Sequence, residues 1–113
     1  MVEPLPGEPI VVKHAPNSFF ETCLLDQLNQ LGVDELVVCG MMTHMCVDTT
    51  VRAAKDHKLS VTLLHDACAT KDLVFDGVTI PAKQVQGGFM AALQGMFANV
   101  IPTAGLVEAV TAS

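Results

Sequence analysis

Leu36-Val37-Val38-Cys39-Gly40-Met41-Met42-Thr43-His44-Met45-Cys46-Val47 is the stretch on which the fold turns. Residues 36–39 are apolar without a break and stop at Gly40, the pattern of a strand covered on both faces. Over residues 44–58 the period changes. Val47, Val51 and Ala54 fall on one side, and Arg52, Lys55, Asp56 and Lys58 largely on the other, which predicts an amphipathic helix. The passage leaves Cys46 near a helix start, where unpaired backbone N–H groups and the positive end of the dipole favour thiolate, the reactive form of cysteine. The same amides can cradle an oxyanion. On spacing alone, Cys46 reads equally well as an activated nucleophile or as a small buried hydrophobe.

Working outward, residues 10–12 form a short β-branched run after Pro9 that ends at Lys13-His14, and they predict a strand. Ser18 with Glu21 three residues later has the form of a capping box, and Leu24, Leu25, Leu28 and Leu31 recur at helical spacing up to Gly32. Downstream, residues 59–64 predict a strand ending at His65-Asp66. Residues 71–81 predict a long loop, and loops of that length tend to be functional. Val85, Phe89, Leu93 and Met96 mark a third helix, with Phe89, Met90 and Met96 core by spacing. Residues 98–101 then predict a strand and 105–110 a terminal helix. The order β-α-β-α-β-α-β-α means parallel strands joined by right-handed crossovers: a three-layer α/β/α, doubly wound fold in one domain over residues 1–113.

Composition narrows the function classes. Half of the 113 residues are hydrophobic, so a core is within reach, but aromatics are only 4% and the core must rest on Val, Leu, Ala, Met and a few Phe. A net charge of -6 without a Lys/Arg cluster argues against nucleic acid and anionic membrane surfaces. No run approaches the roughly 20 apolar residues that cross a bilayer. The opening MVEPLPGEPIVV lacks a basic stretch followed by an apolar one, so a cytoplasmic protein is expected. The four cysteines contain no CxxC, and Cys23, Cys39 and Cys68 read as small buried hydrophobes. His14, His44 and His65 lack ligand spacing, so no metal and no cofactor is expected. His57 falls on the exposed helix face, and Met41, Met42 and Met45 read as pocket wall or core.

In open α/β sheets ligands bind beyond the carboxyl ends of the strands. Lys13 and His14, residues 40–46, and His65 with Asp66 all fall there. A Lys13 ammonium near Cys46 would favour thiolate further.

Three blocks in order, V-V-K-H-A-P-N-S-F-F (11–20), G-M-M-T-H-M-C-V-D-T-T (40–50) and D-A-C-A-T (66–70), closely resemble the isochorismatase-like cysteine hydrolases, the superfamily that includes nicotinamidase, pyrazinamidase and N-carbamoylsarcosine amidase. The resemblance runs over nearly the whole chain. It implies Cys46 as nucleophile, Lys13 as its ammonium partner, a cis peptide at Met41-Met42, and an oxyanion hole made by the amides of Met42 and Cys46. It also suggests Phe19, His14 and Thr43 as pocket residues.

The resemblance further implies a mainly parallel, Rossmann-like sheet of order 3-2-1-4-5-6, of which this sequence matches the C-terminal portion. The first two family strands have no counterpart here, and they would fall between the strand at 10–12 and the strand at 36–39. The family's general-base Asp, and the ligands of members that use a metal, belong to that portion. Asp66 reads as structural, and Asp48 as a solvated or capping residue. The expected function is therefore a cysteine hydrolase of a small carboxamide-type substrate, working through a thioester and impaired by the missing Asp, in a homo-oligomer. A Cys at this place argues against true isochorismatase chemistry. The alternative is an inactive truncated relative that serves as an interaction or oligomerisation module.

Overall fold

The computed structural model describes residues 3–112, so Met1, Val2 and Ser113, at the ends of the expected 1–113 domain, lie outside the described residues. The elements run α1 (Leu24–Gln30), β1 (Glu35–Met41), a π-helical turn (Thr43–Val47), α2 (Asp48–Asp56), β2 (Ser60–Ala69), β3 (Leu73–Phe75), β4 (Val78–Ile80), α3 (Ala82–Leu93), β5 (Asn99–Ile101) and α4 (Thr103–Thr111). The fold is α/β around an open parallel sheet of order β1-β2-β5. Leu36 lies beside Val61, and Leu63 lies between Val38 and Val100.

Strand alternation decides which face each residue serves. Val61 and Leu63 point to the side where Val51, Ala54, Met90 and Leu93 from α2 and α3 complete the main core. Leu64, one residue out of phase and outside that cluster, is buried all the same, and α4 packs against β2. Leu63, Leu93 and Val51 are fully buried, each contributing about 1.5–3 kcal/mol by burial. Among the described residues no helix is long and apolar enough to cross a membrane.

Four local expectations are corrected. Residues 10–12 form no strand: Ile10 and Val12 are 69% and 70% exposed, because a strand exists only against a neighbour and the sheet's edge is β1. The capping box at Ser18 is not made. Glu21 adopts a left-handed φ of 51°, α1 begins only at Leu24, and the Ser18 hydroxyl is taken up by Thr50 instead. The loop at 71–81 contains a hairpin, β3 paired antiparallel with β4. Its turn, Asp76-Gly77, has φ of 52° and 73°, the two positive values that a two-residue I′ hairpin turn demands. Met96 is 72% exposed rather than core, since α3 stops at Leu93 and the chain reverses through Gly95, whose amide donates to the Ala98 carbonyl.

Candidate active site

β1 carries its apolar run to Gly40, whose φ of 137° is tolerated readily by glycine alone, and the following Met41-Met42 peptide is cis. The chain then enters a π-helical turn in which the Met42 carbonyl accepts the amides of Met45 (3.0 Å) and Val47 (3.3 Å). Such i→i−5 turns are rare and cluster at functional sites. Cys46 sits in this turn, half-buried, with Val47 anchored in the core behind it.

A cavity of about 330 Å³ lies at this end of the sheet, and Cys46, Lys13, Ser18, Cys39, Gly40 and Met41 are among its walls. Lys13 thus reaches the cavity of Cys46 without belonging to a strand. Its Nζ donates to the Pro16 carbonyl at 2.8 Å, and the Thr50 hydroxyl lies 3.2 Å from the same oxygen. Among the described residues no carboxylate lines this cavity, and no group of three or more His, Cys, Asp or Glu is placed to hold a metal.

Other suggested pocket residues go elsewhere. Phe19 is buried in the main core with its ring 5.0 Å from that of His57, because the turn after Asn17 drives it inward. His14 is exposed and lines a separate small cavity with Ala15, Phe20 and Glu21. Thr43 is fully buried: its hydroxyl donates to Gln86 Oε1 at 2.6 Å, and Gln86 Nε2 donates to the His65 carbonyl at 2.7 Å. His44 Nδ1 lies 2.8 Å from Thr70 Oγ1, and its ring meets Phe89 edge-on at 6.1 Å. Gln86 escaped the sequence reading. Its signal was its position, four and seven residues before Met90 and Leu93 and therefore on the buried stripe of α3.

The two spare aspartates have structural partners. Asp66 accepts the Thr103 amide (2.8 Å) and hydroxyl (2.7 Å) at the start of α4, and these bonds hold its carboxyl below the usual aspartate value. Asp48 grips Arg52 Nε with both oxygens at 3.1 and 3.2 Å, and the guanidinium stacks 4.6 Å over Phe97. Among the remaining thiols, burial pushes Cys68 up, against the opposing Gly40 amide.

The family model described as Isochorismatase domain matches residues 1–104. An uncharacterized isochorismatase family protein of Bacillus subtilis, YddQ, is 49% identical over 95% of this chain and 59% of its own length. A streptothricin hydrolase of Streptomyces noursei is 39% identical over 94% of this chain and 43% of its own. Among solved structures, an isochorismatase from Pseudomonas putida superposes with a TM-score of 0.89 at 48% identity, over 91% of this chain and 53% of that one. An isochorismatase-family hydrolase structure from Chromobacterium violaceum gives 0.94 at 33% identity, over 98% and 58%. The chain spans about half the length of the curated relatives it matches.

Proposed function

Since the chain belongs to the isochorismatase family, we propose that it is a hydrolase in which Cys46 attacks a small carboxamide-type substrate. The observation that carries this reading is the meeting of Cys46 and Lys13 in one cavity beside the Gly40 turn. The similarity to a protein named streptothricin hydrolase supports hydrolysis as the reaction class.

In this reading the Cys46 sulfur bonds to the carbonyl carbon, and the carbonyl electrons move onto oxygen, where the Met42 and Cys46 amides receive the charge. Collapse breaks the C–N bond, the nitrogen leaves with a proton as ammonia or an amine, and a thioester remains. Water then attacks the thioester, releasing the acid and restoring the thiol. Among the described residues no carboxylate stands in the cavity wall, and the step that lacks a partner among them is proton transfer, which is worth about 10²–10⁴-fold. The chain is therefore expected to show a reactive thiol and slow turnover, and to act as a homo-oligomer in the cytoplasm.

The test is alkylation with iodoacetamide at pH 7, followed by peptide mapping. Cys46 should label first. Equal labelling of Cys23, Cys39, Cys46 and Cys68 overturns the nucleophile, and rapid hydrolysis of a probe amide such as nicotinamide overturns the impairment. A second reading, an inactive relative acting as an interaction module, is favoured by the exposed row Val37, Cys39 and Met41 on β1, and it expects no preference for Cys46.

A further inference from the structure

We infer that Gln86, on α3, is a positioning residue that fixes the register of the turn carrying Cys46; the inference rests on the proposed role of Cys46 as nucleophile. A carboxamide is the side chain that both accepts and donates through adjacent atoms. Here both capacities are used: Oε1 accepts from Thr43, the first residue of the turn, and Nε2 donates to the His65 carbonyl of β2. The carbonyl of His65 can only accept, so the amide nitrogen must face it and the amide oxygen must face Thr43. The Thr43 proton is thereby committed to Gln86 at 2.6 Å, with the Ala69 carbonyl a distant alternative at 3.4 Å.

Gln86 thus ties three elements that are far apart in sequence: the nucleophile turn, the far end of β2, and α3. The far end of β2 is itself irregular. Between Val38 and Gly40, β1 advances two residues while β2 advances five, from Leu63 to Cys68, and this excess presents the His65 carbonyl to α3. Thr43 is fully buried, so a hydroxyl deprived of Gln86 has no water to turn to. The turn it opens is of the rare i→i−5 kind. Released from Gln86, it can relax toward ordinary i→i−4 bonding, and a shift of one residue turns a side chain by about 100° around the axis. Cys46 lies three residues beyond Thr43 and would move with it.

The experiment compares Gln86→Leu, Thr43→Val and their double variant with the unaltered chain by hydrogen exchange and by the rate of Cys46 alkylation from pH 6 to 9. In each single variant, the bonded turn amides of Met45 and Val47 should exchange at least about 10-fold faster while those of α2 beyond Thr50 hold. Alkylation of Cys46 should slow by about 10-fold across the pH range. The double variant should match Gln86→Leu, because both changes remove the Thr43–Gln86 bond and Gln86→Leu alone also removes the bond to the His65 carbonyl. Gln86→Glu, which keeps the acceptor for Thr43, should fall between Gln and Leu. Unchanged exchange at Met45 and Val47, or loosened amides with an unchanged alkylation rate, overturns the inference. If Gln86→Leu fails to fold, Thr43→Val and Gln86→Glu decide by the same two readouts. A Cys46 that is unreactive in the unaltered chain removes the nucleophile reading instead, and the exchange data still decide whether Gln86 holds the turn.

Discussion

Thr50 and Ser18 are joined twice: the Ser18 amide donates to Thr50 Oγ1 at 3.0 Å, and the same hydroxyl lies 3.0 Å from Ser18 Oγ. Since Thr50 also reaches the Pro16 carbonyl that holds Lys13, one buried hydroxyl on α2 secures the irregular segment that brings the ammonium to the cavity. Thr50→Val keeps the shape and removes the hydroxyl. It should lower stability by about 1–3 kcal/mol in urea unfolding, the cost of leaving the part-buried Ser18 amide unpaired. Trypsin should then cut after Lys13 sooner than in the unaltered chain. Unchanged stability and unchanged cleavage would show that the segment is held elsewhere.

The thiols should separate by pH. Burial raises Cys68 above its ordinary value of 9.0, with the charges of Cys39 and Asp66 adding to the rise. Less of it is thiolate at neutral pH, so its alkylation should lag that of the urea-unfolded chain at pH 8, and it should still be climbing above pH 9. A native Cys68 that labels as fast as the unfolded one contradicts this.

Asp66 should make the attachment of α4 sensitive to acid. Its hydrogen bonds from Thr103 depress the folded-state value below 3.8, so under acid the unfolded chain binds the proton first. The contribution is complete above 3.8 and is lost as the pH falls through the lower folded value. Asp66→Asn should remove this part of the acid dependence in thermal melts between pH 5 and 2, with the change in exchange concentrated in α4. An identical pH profile for the two proteins would sink the assignment.

Gly77 should be intolerant of a side chain for conformational rather than packing reasons. Nothing lies within 4 Å of an added Cβ, yet its φ is 73°. Gly77→Ala should therefore cost about 1 kcal/mol, read in urea unfolding or as faster exchange across β3 and β4. A gain in stability would mean that the hairpin turn is not as described.

Much of the sheet was legible because its signals are local. The apolar runs at 36–39 and 59–64 read as strands and are strands, but β1 is not covered on both faces as its run predicts, since Val37 and Cys39 are exposed among the described residues. The helix after Cys46 declared itself by Val47, Val51 and Ala54. What escaped was set by partners distant in sequence. Residues 10–12 look like a strand but have no neighbour in the described sheet, and Ser18 looks like a cap but spends its hydroxyl on Thr50. The hairpin is a different case: Val74-Phe75-Asp76-Gly77-Val78 carries a local turn signal, Asp-Gly between apolar residues, that needs no distant partner. At the candidate site, the turn and Lys13 were visible as motifs. Gln86 was not, because a glutamine on a buried stripe declares its task only when its partners are in place.

The edge of β1 has a practical consequence. On the side away from β2 its backbone carries donors and acceptors with no strand beside them among the described residues, and Val37 and Met41 stand 55% and 67% exposed along it. Such a row is a ready template for another extended peptide. The six net negative charges oppose close approach at low ionic strength, and salt screens them, with a Debye length of about 10 Å at 0.1 M. Among the described residues this edge of β1, like the outer edge of β5, is open to strand addition, and salt that screens the repulsion would favour it.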